Sequence, residues 1–316
     1  MPSWHDLLQE INQRGGGHDV VRRDYLHRLH EHTGRNVIIY YSAWLQKPNL
    51  GGTEVNDADK NGFMTVIHGL DRSKGLDLIL HTPGGETAAT ESLVDYLRSM
   101  FGKDIRAIVP QLALSAGTMI ACACREIVMG KHSSLGPIDP QFRGVPAHGV
   151  IEEFQRAYEE IKQDQVKMAV WQPILAKYQP TLIGECEKAM KWSYEMTKEW
   201  LVTGMLEGDD EADAKAETIL KELADHALTK SHARHLSAIK CQGIGLRVVR
   251  LEDTQEFQEA VLSVHHACIH TLSATGAYKI IENHSGVAFI QIAQTVMVQG
   301  PMRAEIGPGG IMRPDS

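Results

Sequence analysis

The opening residues place Trp4, Leu7, Leu8 and Ile11 at helical spacing among Asp6, Glu10 and Arg14, which predicts a short amphipathic helix. A basic stretch with Arg22, Arg23 and Arg28 follows, and then Val37, Ile38, Ile39 and Tyr40 form an apolar run that reads as a buried strand. From there helix and strand alternate. Residues 54–70 have helical periodicity, 75–82 (GLDLILHT) read as a strand, 86–101 as a helix and 105–110 (IRAIVP) as a strand. Residues 115–125 then read as a helix and 126–130 (EIVMG) as a strand. Strands separated by helices of this length need crossover connections, which implies a mostly parallel sheet covered on both faces. Residues 151–225 read as helical throughout, with Ile151, Phe154, Tyr158 and Ile161 on one stripe. The chain then returns to a strand (GLRVVRL), a helix (EFQEAVLSVHHACIHTL) and a strand (GVAFIQIA), and its Gly- and Pro-rich end reads as a loose tail.

Composition narrows the class. Of 316 residues, 43% are hydrophobic and 23% charged, the balance of a globular protein with a sizeable core. A net charge of −8 without a Lys/Arg block argues against a nucleic-acid partner. The five cysteines (Cys122, Cys124, Cys186, Cys241 and Cys268) are odd in number and widely spaced, which suits reduced thiols in a cytoplasm better than a disulfide framework. No apolar core of a secretory signal follows the N-terminus. The most apolar run, Ala107 to Cys124, is interrupted by Pro110, Gln111, Ser115, Gly117 and Thr118, whereas a membrane span wants about 20 predominantly apolar residues. The expectation is a soluble, cytoplasmic protein with no membrane span.

Two turns carry candidate chemistry. In HTPGGE, His81 to Glu86, paired glycines lie between a strand and a helix, where unblocked N–H groups can hold an oxyanion or a phosphate. A tight strand-to-helix connection is the plainer reading of the same residues. In LSAGTMIACA, Ser115 follows a strand and precedes an apolar helix, with Ala116 and Gly117 behind it. That placement can expose a nucleophilic hydroxyl, and it equally suits an N-cap serine. Both turns follow successive parallel strands, so both fall at the carboxyl edge of the sheet, where such folds place ligands.

Together, ILHTPGG and ALSAGTMIACACREIVMGKHSSLGPIDP resemble the core of the Clp protease and crotonase superfamily, and within it the signal-peptide-peptidase-A-like proteases. The closer likeness is to the serine dehydrogenase proteinase family, carried by TGRNVIIYYSAWL, LILHTPGG, SAGTMIACA, LGPIDPQ, TKSHARHL and KIIENH between about Thr33 and Ile292. The resemblance implies an α/β fold, a Clp protease/crotonase-like spiral of βαβ units with a helical extension. It implies Ser115 as nucleophile, with Gly84 or Gly85 and Ala116 as backbone donors of an oxyanion hole. The Clp protease carries a histidine near what is here PIDPQ; this chain has Asp139 there and no histidine. Signal-peptide-peptidase-A-like enzymes use a lysine from the helical region after the core, and Lys162, Lys167 and Lys177 are on offer. Lys167 is followed by Met168, Ala169, Val170 and Trp171, surroundings able to desolvate an amine and lower its pKa, and is the first choice of base. Lys177 is second, and Lys162, among acidic neighbours, reads as a solvated charge. The alternative is that all three are surface lysines and the base is another group, with His132 and His148, which flank LGPIDPQ, as the histidines to test.

The other histidines suggest no metal site. His232 and His235 are three apart and His266 and His270 four apart, so each pair shares a helical face, but neither lies in an HExxH pattern and no CxxC pair exists. No GxGxxG follows a first strand, which argues against a dehydrogenase, and no cofactor is expected. The expected organisation is a helical N-terminal arm (1–32), a Clp/crotonase-like protease domain (33–292) with its extension at about 151–225, and a tail (293–316). The expected function is a serine peptidase acting on polypeptides. The alternatives are an acyl-coenzyme A enzyme with Glu86 or Asp139 as base, or a non-catalytic peptide-binding subunit. The extension carries Phe154, Tyr158, Trp171, Tyr178, Trp192, Tyr194 and Trp200, which predicts a homo-oligomer, with any unfoldase or adaptor left open.

Overall fold

The alternation of strand and helix carries through into the computed structural model, which describes residues 4–142, 145–224 and 234–293. Helices α1 (Trp4–Gln13) and α2 (His18–Thr33) lead into β1 (Asn36–Ser42). The crossover units follow as α3 (Ala58–Ile67), β2 (Leu76–His81), α4 (Thr87–Phe101), β3 (Ile105–Val109), the short β4 (Leu112–Ala113), α5 (Ala116–Cys122) and β5 (Glu126–Met129). Short strands β6 (Ser134–Leu135), β7 (Gln141–Phe142) and β8 (Val145–Pro146) precede the helical extension. The extension comprises α6 (Ala147–Gln163), α7 (Met168–Leu175), α8 (Leu182–Trp200) and α9 (Ala212–Ala224). The chain returns through β9 (Leu236–Ser237), α10 (Ala238–Gly243), β10 (Val248–Arg250) and α11 (Gln255–Ala274), and closes with β11 (Ala277–Asn283) and β12 (Ala288–Ile292).

Seven strands form one sheet in the order β10-β5-β3-β2-β1-β11-β12. The first five are parallel; β11 adds antiparallel to β1, and β12 adds antiparallel to β11. Successive side chains of a strand point to opposite faces, so each face receives its own core. Ile38, Tyr40, Leu78 and Leu80 enter a core under α3, α4, α5, α8 and α9. Val37, Ile39, Tyr41 and Ile79 enter a second core under α1, α2 and α11. A three-stranded sheet, β4-β6-β9, stands beside the main one and carries the chain into Ser115.

Two sequence expectations change here. The segment expected as an arm is part of the second core: Leu7, Ile11, Val21, Leu26 and Leu29 are buried in it. Arg22, also buried, donates from Nε to Glu282 Oε2 (2.5 Å) and from Nη1 to Thr271 Oγ1 (3.0 Å), which ties α2 to β11 and α11. Removing one partner of such a buried pair costs roughly 3–5 kcal/mol, so α2 belongs to the folded unit. The second change is β11, which the hydrophobic pattern does not mark as a strand. Its buried Lys279, Glu282 and Asn283 interrupt the apolar pattern, and each is satisfied by a partner distant in sequence.

The aromatic residues of the extension divide. Trp200 and Tyr194 pack on the main core, and Phe154 meets Tyr178 edge to face in a small separate cluster with Val150 and Cys186. Trp171 is buried, with its indole N–H donating to Glu160 Oε2 at 3.1 Å. Tyr158, 60% exposed, and the half-exposed Trp192 are the two left facing out.

Candidate active site

Ser115 stands where β4 passes into α5, and its backbone is held at φ 51°, ψ −115°. A non-glycine residue at positive φ is strained, and that strain persists only where the surroundings impose it. Here they do. Thr82 and β4 form two rungs, Thr82 N to Leu112 O (3.1 Å) and Leu114 N to Thr82 O (3.0 Å). Below Ser115, the Thr118 hydroxyl lies 2.9 Å from the carbonyl oxygens of both Ala113 and Gly136, which share its one proton, and accepts from the Gly136 amide at 3.0 Å. The Ser115 side chain makes no cap to α5, so the N-cap reading of this residue does not hold. Ser115 lines a cleft of about 540 Å³.

The Gly84–Gly85 turn meets the Ser115 turn directly. Gly84 has φ +97°, and a Cβ there would lie 2.6 Å from Leu114 O, 2.6 Å from Ser115 Cβ and 2.9 Å from Ala116 N. Only glycine allows this approach. On its other side the turn is held by Val55, whose amide donates to Gly84 O (2.7 Å) and whose carbonyl accepts from Glu86 N (2.9 Å). The Gly84 amide donates to Thr82 Oγ1 at 3.2 Å. Among the described residues, the amides of Gly85 and Ala116 have no such acceptor, and both residues line the cleft with Ser115. Sequence reasoning left Gly84 and Gly85 as alternative donors; the geometry gives Gly84 the close approach and leaves Gly85 with the unengaged amide. Neither Val55 nor Thr82 was singled out from the sequence. Their role comes from pairing across the fold, which no local spacing signals.

Beyond the turns, the cleft is walled by Pro83, Met119, Ile138, Ala189 and Trp192, with Glu54 and Glu86 as its titratable residues. Arg98 of α4 ties this wall together, donating to the carbonyls of Ala123 after α5 and Trp200 at the end of α8, both at 2.8 Å. An adjoining cleft of about 1000 Å³ shares Ile138, Pro140 and Ser193 with it and is lined by His148, Tyr194 and Lys198.

Among the described residues, no lysine or histidine lines the Ser115 cleft. Lys167 lies between α6 and α7 with its side chain 44% exposed, its Nζ 3.5 Å from Glu160 Oε2, instead of in the apolar surroundings its neighbours suggested. Met168 and Val170, two of the neighbours expected to desolvate it, face outward themselves. Lys177 lines a separate cleft with Tyr178 and Leu182, and Lys162 lies over the Tyr158 ring. His132 is exposed after β5, and Asp139 is buried. His232 lies outside the described residues. His270 and His266 pack their rings against Trp4, and among the described residues no three His, Cys, Asp or Glu side chains converge as a metal site would require.

His81, the first residue of the glycine-turn motif, points away from the cleft into the second core. It is fully buried between Tyr41, Trp44 and His265, and among the described residues neither ring nitrogen has a protein partner. Burial lowers its pKa to about 3, so it is a neutral core residue. All five cysteines are free and buried, and burial raises Cys124 and Cys241 to about 12, which leaves them unreactive thiols. No described helix is long and apolar enough to cross a membrane.

Residues 20–261 match the family described as ClpP-like SDH-type serine proteinase, and the chain belongs to that family. It is 31% identical over 186 residues to an uncharacterized protein of Methanocaldococcus jannaschii, covering 59% of this chain and 56% of that one. It is 34% identical over 107 residues to a second uncharacterized protein of the same organism, covering 34% of this chain and 37% of the relative. The chain thus spans about half the length of one curated relative and about a third of the other. No solved structure matches it.

Proposed function

Starting from membership of the ClpP-like SDH-type serine proteinases, we propose that this serine peptidase works through Ser115, with the amides of Gly85 and Ala116 as its oxyanion hole. The carrying observation is the strained Ser115 backbone locked against Gly84, with two unengaged amides on the same cleft. Ser115 Oγ attacks the scissile carbonyl while a base takes its proton, and the developing oxyanion is held by the two N–H groups. The tetrahedral intermediate expels the amine with a proton returned from the base, and water releases the acyl group by the same path.

The base in this reading is Lys167, brought to the cleft by the helical extension of a second copy. Supporting this, Lys167 is half-exposed between Val166 (79% exposed) and Met168 (51%), so docking against a neighbour would desolvate its amine and favour the neutral form a base requires. A homo-oligomer with polypeptide substrates follows from the same reading, and five buried reduced thiols suit a cytoplasmic setting.

A fluorophosphonate probe tests the nucleophile: wild type labels and Ser115→Ala does not, and labelling of a folded Ser115→Ala protein overturns the assignment. Mixing tests the base. Ser115→Ala and Lys167→Met are each inactive alone, and mixed oligomers recover activity because one subunit supplies the serine and the other the amine. A fully active Lys167→Met, with Lys177→Met or His132→Ala inactive, moves the base and leaves the nucleophile in place.

A further inference from the structure

Behind the Gly84–Gly85 turn lies a buried ionic network that the chemistry above does not use. Lys279 of β11 is fully buried, and its Nζ donates to Asp59 Oδ1 at 2.7 Å and to the Glu54 carbonyl at 2.8 Å. Asp59, also buried, accepts on Oδ2 from the Tyr40 hydroxyl (2.7 Å) and from the Asn56 amide (3.0 Å). Tyr40 belongs to β1 and Lys279 to β11, so the pair pins the 54–59 segment to two strands of the main sheet.

What it pins is Val55. Glu54 and Asn56, on either side of Val55, are the two backbone points the network grips, and Val55 makes both rungs to the glycine turn. Gly85 sits between those rungs so closely that a Cβ on it would lie 2.2–2.3 Å from Val55 O and N. A shift of Val55 therefore moves the Gly85 amide. A second arm reaches the same turn along β1 and β2, which pair in parallel: Tyr40 of β1 is held by Asp59, and Thr82, directly after β2, accepts from the Gly84 amide at 3.2 Å. Stability alone does not call for such a pair, since desolvation of two buried charges offsets much of their attraction and apolar residues of similar volume often serve as well. Orientation of an amide is a different demand: oxyanion stabilisation depends on donors held in place before charge develops.

We propose that Lys279 and Asp59 are positioning residues that hold the Gly85 amide of the oxyanion hole in place through Val55, with Tyr40 and Thr82 as the second arm. This rests on the reading of Ser115 and Gly85 above. The test uses the full-length protein, a chromogenic peptide substrate, and a peptide boronate that forms a tetrahedral adduct with the serine. Lys279→Met is expected to lower kcat by about 10- to 100-fold while KM stays within about twofold, and to weaken the boronate in step with kcat/KM. Tyr40→Phe, which removes only the hydroxyl, is expected to lower kcat by about 3- to 10-fold in the same pattern. Glu282→Gln is the structural control: it breaks the buried Arg22 pair of the opposite core and is expected to leave kcat within about twofold wherever the protein is folded. Where Lys279→Met does not fold, Tyr40→Phe and Thr82→Val decide. Folded variants with unchanged kcat, or a loss no larger than that of Glu282→Gln, overturn the proposal while Ser115 labelling in wild type leaves the nucleophile standing. Absence of that labelling in wild type overturns the nucleophile and this proposal together.

Discussion

Replacing Gly84 by alanine separates the cost of an unfavourable backbone from the cost of crowding the serine. Gly84 has φ +97°, where an L side chain costs roughly 1–2 kcal/mol through backbone sterics alone. Its added Cβ would also lie 2.6 Å from Leu114 O and from Ser115 Cβ, nearly 1 Å inside ordinary contact. Relieving such overpacking costs typically about 1–3 kcal/mol, giving about 2–5 kcal/mol in all. Against a stability of about 5–15 kcal/mol this leaves the variant folded at all but the lowest end of that range. Gly34→Ala is the matched comparison: Gly34 has φ +66° with nothing within 4 Å of the added Cβ, so it carries the backbone cost alone. The relief at Gly84 comes from displacing the Ser115 turn, and a displacement of order 1 Å at a reacting group costs about 10²-fold in turnover. Denaturant unfolding of both variants, with kcat on a peptide substrate, is the assay. The expected result is a larger stability loss for Gly84→Ala than for Gly34→Ala, with turnover lost in the former and kept in the latter. A folded Gly84→Ala enzyme with wild-type kcat would refute the claim that this contact sets the serine.

Three further outcomes are expected. Gly85→Val places its Cβ against the Val55 backbone, and disturbing one oxyanion donor is expected to cost on the order of 10²–10³ in kcat; normal turnover puts the hole elsewhere. His81 binds its proton in the unfolded chain near pH 6.5 and in the folded protein only near pH 3, so stability is complete above about pH 6.5 and falls as pH drops towards 3. His81→Phe is expected to reduce the loss of stability between pH 7 and pH 5 by about 2 kcal/mol, measured by urea unfolding at each pH, and an unchanged pH dependence contradicts the burial argument. Light scattering is expected to show an oligomer at micromolar concentration, and a fully active monomer removes the second copy from the proposed mechanism.

The alternation of apolar and polar positions was enough to read the parallel sheet, because a strand buried on both faces and a helix buried on one leave different periods in the chain. The glycine turn is legible for a similar local reason, because paired glycines at a strand-to-helix junction carry their backbone freedom with them, as the positive φ of Gly84 bears out, whereas the positive φ of Ser115 is imposed by its surroundings. What escaped were features whose cause lies far away in sequence. β11 looks too polar for a buried strand until Lys279 meets Asp59 and Glu282 meets Arg22. The N-terminal helices look detachable until Arg22 enters the second core. His81 belongs by position to the glycine-turn motif, yet strand alternation turns it to the opposite face, while Lys167, apolar in its neighbours, is half-exposed with Met168 and Val170 facing outward beside it. Sequence spacing reports which residues can share a face; burial, charge pairing and the approach of one turn to another depend on packing between segments, and only the folded chain decides them.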